Sequence, residues 1–223
     1  MHKTSGAVAH PDIEPNASTR EWAVEWGLRS VAILAYLVAM SNLAGAWLAD
    51  SSRWTLLVLL LTEGYTLALV VLARRAVRRD ARLTTLLVQL YVGLGYALLA
   101  TKQTTALLPE LYSVAIQLTG TACTVVAKVM LGRRFGVLPA YRGAVVTAGP
   151  YARVRHPMYF GYVVEAAGLL LANFSWRNLM VELAMFVALW LRVKREEAVL
   201  TAADPTYLAY RERVRWRVIP LIW

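Results

Sequence analysis

The chain of 223 residues is 58% hydrophobic and 17% charged, with a mean hydropathy of +0.48. That is too apolar for a typical soluble domain, and the length leaves no room for a second large soluble one. The net charge of +10 lies in arginines flanking apolar runs, not on a soluble basic face interleaved with aromatics. It therefore argues for anionic lipid headgroups and against nucleic acid.

Residues 1–21 are polar, with Pro11, Asp12, Glu14, Pro15 and Asn16. They read as a flexible cytoplasmic tail, too acidic and too long for the start of a signal peptide. Residues 22–131 then hold four expected transmembrane helices, at about 31–49, 54–73, 83–108 and 111–131, each near the ~20 residues that cross hydrocarbon. Glu63 sits midway along the second span and reads as a hydrogen-bond partner for a neighbouring helix. Cys123 reads as a buried helix residue, and no Cys/His cluster suggests a metal. Between spans two and three, Arg74, Arg75, Arg78, Arg79 and Arg82 mark a cytoplasmic loop by the positive-inside rule.

Residues 132–223 form a third region. It opens on a long loop containing Gly149-Pro150-Tyr151 and Arg155-His156-Pro157-Met158-Tyr159. This loop holds more arginine, histidine, tyrosine and proline than a bare connector needs, and irregular polar backbone beside a membrane lines a cavity or a site. Two short apolar runs follow, Met158–Ala172 and Leu179–Leu191, divided by Asn173-Phe174-Ser175-Trp176-Arg177-Asn178. They read as a helical hairpin with Pro157 at its start. The second helix continues through Arg192-Val193-Lys194-Arg195-Glu196-Glu197. A further amphipathic helix, capped by Asp204, carries Tyr207 and Tyr210, with Trp216 and Trp223 at headgroup level. The expected fold is all-α: a polytopic membrane protein with about four transmembrane helices, a C-terminal helical hairpin and cytoplasmic amphipathic helices, both termini inside.

A hairpin returns its ends to one place, so the His-Pro loop and the Arg192–Glu197 segment can meet. Arg192 and Glu196 are four residues apart and share a helix face. They can form a surface ion pair or line one pocket.

The order Gly149-Pro150-Tyr151, Arg155-His156-Pro157-Met158-Tyr159-Phe160-Gly161, hydrophobic hairpin, Glu196-Glu197 resembles the signature of the isoprenylcysteine carboxyl methyltransferases and their bacterial phospholipid-methyltransferase-like relatives, over roughly residues 130–220. The resemblance implies S-adenosyl-L-methionine as methyl donor, bound on the cytoplasmic side under the C-terminal helices. It also implies cofactor contacts from Val145, Val146, Tyr151, His156, Pro157, Tyr159 and Glu196, and a substrate carboxylate held by Arg192. Two positions depart from it: Gly143 stands where eukaryotic members carry a histidine, and Gly136 near where they carry a glutamine.

The residue types fit that chemistry. The donor's carboxylate needs cations or N–H groups, its ammonium and ribose need a carboxylate, and tyrosines can face adenine or sulfonium. A carboxylate acceptor is already ionised and needs only alignment. An amine or thiol must lose a proton, for which Glu165 and Glu182 stand on the hairpin; both read rather as helix–helix hydrogen-bond partners.

The reading is methyl transfer to a lipophilic acceptor that enters from the bilayer, most simply a carboxylate. Its alternatives are a phospholipid N-methyltransferase, a thiol S-methyltransferase, an NADPH-dependent membrane reductase, and a non-catalytic membrane protein of the same fold. The arginine-rich, lysine-poor composition suggests a bacterial inner membrane.

Overall fold

The computed structural model describes residues 19–73, 78–80, 82–136 and 138–222. Its helices are α1 (Thr19–Ala49), α2 (Trp54–Leu72), α3 (Leu83–Leu94), α4 (Glu110–Leu131), α5 (Pro157–Ala172), α6 (Trp176–Ala203) and α7 (Thr206–Arg213). Only one two-residue ladder joins them among the described residues: β1 (Arg78–Arg79) pairs antiparallel with β2 (Ala140–Tyr141). The all-α reading holds.

Three helices are long and apolar enough to cross a membrane: α1 from Trp26, α2, and α4 with its extension to Arg134. Leu83–Leu98 and Pro157–Ala172 are apolar but shorter. Leu34, Leu61, Leu111, Val129 and Val187 are each more than half exposed, which in water would be a large apolar patch and in a bilayer is the lipid-facing surface.

One end of the bundle is tied by polar side chains from every connector there. Arg53, between α1 and α2, donates to the Thr101 carbonyl and to Asn173 Oδ1. Glu110 Oε1 accepts from the Thr55 backbone and hydroxyl at 2.7 and 2.8 Å. Asn173 Nδ2 donates to Thr55 Oγ1 at 2.9 Å, and Thr105 and Phe174 exchange both backbone hydrogen bonds. The loops carrying the sequence motifs gather at the other end.

Helix α5 is held against α4 by close backbone approach. A β-carbon at Gly161 would lie 2.2 Å from Thr124 Oγ1, and one at Gly120 would lie 2.4 Å from the Glu165 backbone nitrogen. Small residues at such a crossing let the helices pack without a hydrophobic driving force between them. Gly161→Leu is therefore expected to destabilise the protein by about 3 kcal/mol or more through overpacking at a site that cannot yield. A thermal melt in detergent would show this as a large downward shift; an unchanged melt would contradict the packing account.

Several expectations are corrected. The third span, expected over 83–108, is helical only to Leu98. Gly93 and Gly95 weaken the helix, it tightens to a 3₁₀ turn over Gly95–Leu98, and the polar run from Thr101 leaves to pair with Phe174. Helix α1 begins at Thr19, inside the stretch expected as a tail; residues 1–18, Arg74, Arg75 and Trp223 lie outside the described residues. Glu63 is buried, and the expected interhelical hydrogen bond is not seen among the described residues; the Lys128 Nζ donates to Thr66 Oγ1 at 2.5 Å. Glu165 does accept across the α4–α5 seam, from Thr121 Oγ1 at 3.0 Å, whereas Glu182 Oε1 is buried without a partner. Cys123 is only partly buried.

Candidate functional site

The hairpin does return its ends to one place. Tyr159, on the first turn of α5, stands between Arg192 and Glu196 of α6. Its hydroxyl accepts from Arg192 Nε at 2.8 Å and donates to Glu196 Oε2 at 2.8 Å. The expected cation and anion thus share a face but are bridged by a phenol rather than paired directly. Arg192 also donates from one terminal nitrogen to Gln89 Oε1 on α3 and from the other to the Gly136 carbonyl at 3.0 Å. Three of its five N–H groups are committed, which leaves one on each terminal nitrogen for a substrate.

The His-Pro loop is fixed from the other side by the C-terminal segment. The backbone N–H groups of Arg155 and His156 donate to the Trp216 and Arg217 carbonyls at 2.9 and 2.7 Å. His156 Nε2 then lies 3.3 Å from Glu197 Oε1, and its ring stacks on Tyr159 with centroids 5.5 Å apart. Arg155 Nε and Arg217 Nε also face Glu197, at 3.1 and 3.3 Å.

Burial alone would raise the Glu197 carboxyl. Hydrogen bonding and charge from His156, with the charges of Arg155 and Arg217, outweigh it and hold the group below its usual value. A depressed folded-state carboxyl stabilises the fold above the unfolded pKa, and that contribution is lost as pH falls through the folded one. The melting temperature is therefore expected to drop on the acid side of the ordinary carboxylate range, and Glu197→Gln to flatten that acid limb. A variant melting curve with the wild-type acid slope would assign the drop to other groups.

Val145, Val146, Tyr151, His156, Arg192 and Glu196 all line one cleft, about 770 Å³ including the solvent at its mouth. Pro157 and Tyr159 do not line it: Pro157 is the first residue of α5, and Tyr159 stands behind the wall, orienting Arg192 and Glu196. The Tyr151 hydroxyl donates to the Ala127 carbonyl at 3.3 Å, and its own carbonyl accepts from the Tyr210 hydroxyl at 2.7 Å, so the ring is locked in place. Met158, Arg155, Tyr207 and Tyr210 also line the cleft and were not among the expected site residues. Arg155 lay in the motif itself, and Tyr207 and Tyr210 repeat at helical spacing on the capping helix. Gln89 had a plainer signal, a lone amide in the apolar run of α3.

Beside the cleft lies an apolar pocket of about 1080 Å³ including open space, between α1, α2 and α3. Gly136, Leu138 and Arg142 line both spaces. A β-carbon at Gly136 would meet only the guanidinium end of the flexible Arg142 side chain.

A sequence model described as phospholipid methyltransferase matches residues 94–203, from the end of the third helix to the end of α6. This region is a domain of the integral-membrane methyltransferase family. The match spans the His-Pro loop, the hairpin, Arg192 and the Glu196-Glu197 pair. No curated protein matches the chain.

Proposed function

We propose that this methyltransferase transfers a methyl group from S-adenosyl-L-methionine to the carboxylate of a lipophilic acceptor that enters the apolar pocket from the bilayer. The observation that carries the reading is the meeting of two unlike spaces. A polar, aromatic-walled cleft opens towards the motif loops, and an apolar pocket opens between transmembrane helices. They share a wall at Gly136, Leu138 and Arg142.

The donor fits the cleft by its chemistry. Glu196 would take the ammonium or ribose, the Tyr151 ring an aromatic or sulfonium face, and the backbone at Val145 and Val146 the nucleoside. When bound, the donor supplies an electrophilic methyl carbon. The protein's own part is alignment: Tyr159 holds Glu196 and Arg192 at a fixed separation, and Gln89 and the Gly136 carbonyl fix the Arg192 plane.

The carboxylate is favoured by charge. Among the described residues, the charged ones lining the apolar pocket are Arg29 and Arg142, and none is an acid to take a proton from an amine. Phospholipid N-methylation has two features in its favour: the same arginines suit a lipid phosphate, and the matching family is described as phospholipid methyltransferase. In our reading both termini face the cytoplasm of a bacterial inner membrane, where the donor is made.

The test is incubation of the detergent-purified protein with methyl-labelled donor and either long-chain or prenylated acids or phosphatidylethanolamine vesicles. Label in the acid fraction, released as methanol by mild alkali, is the expected result. Alkali-stable label in the phospholipid would establish N-methylation instead.

A further inference from the structure

The cleft contains two buried side chains, Arg155 and Tyr207, with donors that no acceptor takes up among the described residues, although Arg155 is ion-paired with Glu197. The Tyr207 side chain is 1% exposed, and its hydroxyl has no hydrogen-bond partner. Arg155 is 8% exposed. Its Nε lies 3.1 Å from Glu197 Oε1 but makes no aligned hydrogen bond to it, and the guanidinium donates none elsewhere among the described residues. Both side chains line the cleft.

Their neighbours differ. The Tyr151 and Tyr210 hydroxyls are committed to backbone carbonyls, and Arg192 donates from all three nitrogens. A buried donor without a partner carries its full desolvation cost, and native structures keep such groups when something else supplies the partner.

The polar groups are also divided by sign. On α6, Glu196 uses only Oε2 internally, for Tyr159. The same lining holds the Arg155 guanidinium, ion-paired through Nε with Glu197, and the Tyr207 phenol donor. Burial, then the Glu197 and Glu196 charges, push the Tyr207 phenol up, so it stays a neutral donor. A carboxylate with a free oxygen in one lining with open guanidinium and phenol donors complements a zwitterion with an ammonium and a carboxylate. A guanidinium with free N–H groups binds a carboxylate through two parallel hydrogen bonds.

Resting on the donor reading above, we infer that Arg155 and Tyr207 bind the carboxylate of the amino-acid end of S-adenosyl-L-methionine. Glu196 takes the ammonium of the same end, and the nucleoside lies towards Val145 and Val146. Helix α7 is then part of the site and not only its cover. Asp204 sets it: Asp204 Oδ1 accepts from the Thr206 backbone and hydroxyl at 2.9 and 2.6 Å, which starts the helix one residue before Tyr207.

The test is calorimetric binding of S-adenosylhomocysteine and of its decarboxylated analogue, which keeps the nucleoside and the amine, to the full chain in detergent. Wild type should bind the first about tenfold more tightly than the second, the size of a lost charge-assisted hydrogen bond. Tyr207→Phe should lose about tenfold for S-adenosylhomocysteine and nothing for the analogue. Arg155→Lys, which keeps the charge but not the fork, should show the same selectivity.

The ligand-free Tyr207→Phe protein should melt at or above the wild-type temperature, because the hydroxyl it removes has no partner to lose. A structural tyrosine would lower it. Unchanged S-adenosylhomocysteine affinity in Tyr207→Phe, an equal loss for both compounds, or a lowered melting temperature would overturn the assignment while leaving the donor reading intact. Wild-type protein that binds neither compound would overturn the donor reading, and this inference with it.

Discussion

Glu196→Ala is expected to weaken S-adenosylhomocysteine binding by about 10- to 100-fold, the range for a hydrogen bond to a charged group removed from a partly buried site. Glu196 Oε2 is held by the Tyr159 hydroxyl at 2.8 Å, so the carboxylate is already oriented before anything binds. Its loss removes the only acid lining the cleft among the described residues and frees the Tyr159 hydroxyl, whose other contact is Arg192. Glu196→Gln should lose nearly as much affinity, because it keeps the hydrogen bond from Tyr159 but not the charge that an ammonium needs. Calorimetry of the two variants separates these contributions. Wild-type affinity in Glu196→Gln would mean that the carboxylate serves only to orient Tyr159.

His156→Ala should also weaken binding, by a different route. His156 lines the cleft, but its Nε2 faces Glu197. Beside its expected cofactor contact, His156 thus also fixes the loop on which Arg155 stands. The loss should come with a lower melting temperature.

The parts of this architecture that were legible in the sequence share a physical cause. Helix positions in a membrane follow from unbroken apolar length, and the hairpin follows from two apolar runs separated by a short polar turn. That geometry sufficed to predict that the His-Pro loop and the Arg192–Glu197 segment can meet. Three kinds of feature were not legible. The third helix fails at Leu98 because a tertiary backbone pairing, Thr105 with Phe174, competes for the chain after two glycines. Arg192 binds Gln89, more than a hundred residues away, and no local pattern encodes such a contact. The separation of roles within the motif, with Tyr159 behind the wall and Arg155 in it, depends on which side of one helix turn each side chain leaves the backbone. Spacing along an irregular loop does not determine that.

Arg192→Ala is expected to leave S-adenosylhomocysteine binding within a few-fold of wild type while lowering turnover by about 10²-fold, the cost of losing alignment of a reacting group. Arg192 stands at the junction of three elements. It ties α3 through Gln89, the loop after α4 through the Gly136 carbonyl, and α5 through Tyr159. Gln89 and Gly136 both line the apolar pocket, and Glu196 lines the cleft, so Arg192 forms the partition across which a methyl group would pass. Two of its N–H groups remain, one on each terminal nitrogen, and a bidentate carboxylate requires two. Arg192→Lys discriminates between its possible roles. If the arginine acts by binding an acceptor carboxylate in fork geometry, lysine should raise the acceptor KM and recover part of kcat. If it acts only by holding Tyr159 and Gln89, lysine should depress kcat without moving the acceptor KM, and Gln89→Ala should do the same. Equal loss of donor affinity in Arg192→Ala and Glu196→Ala would instead merge the two residues into one donor site and remove the partition.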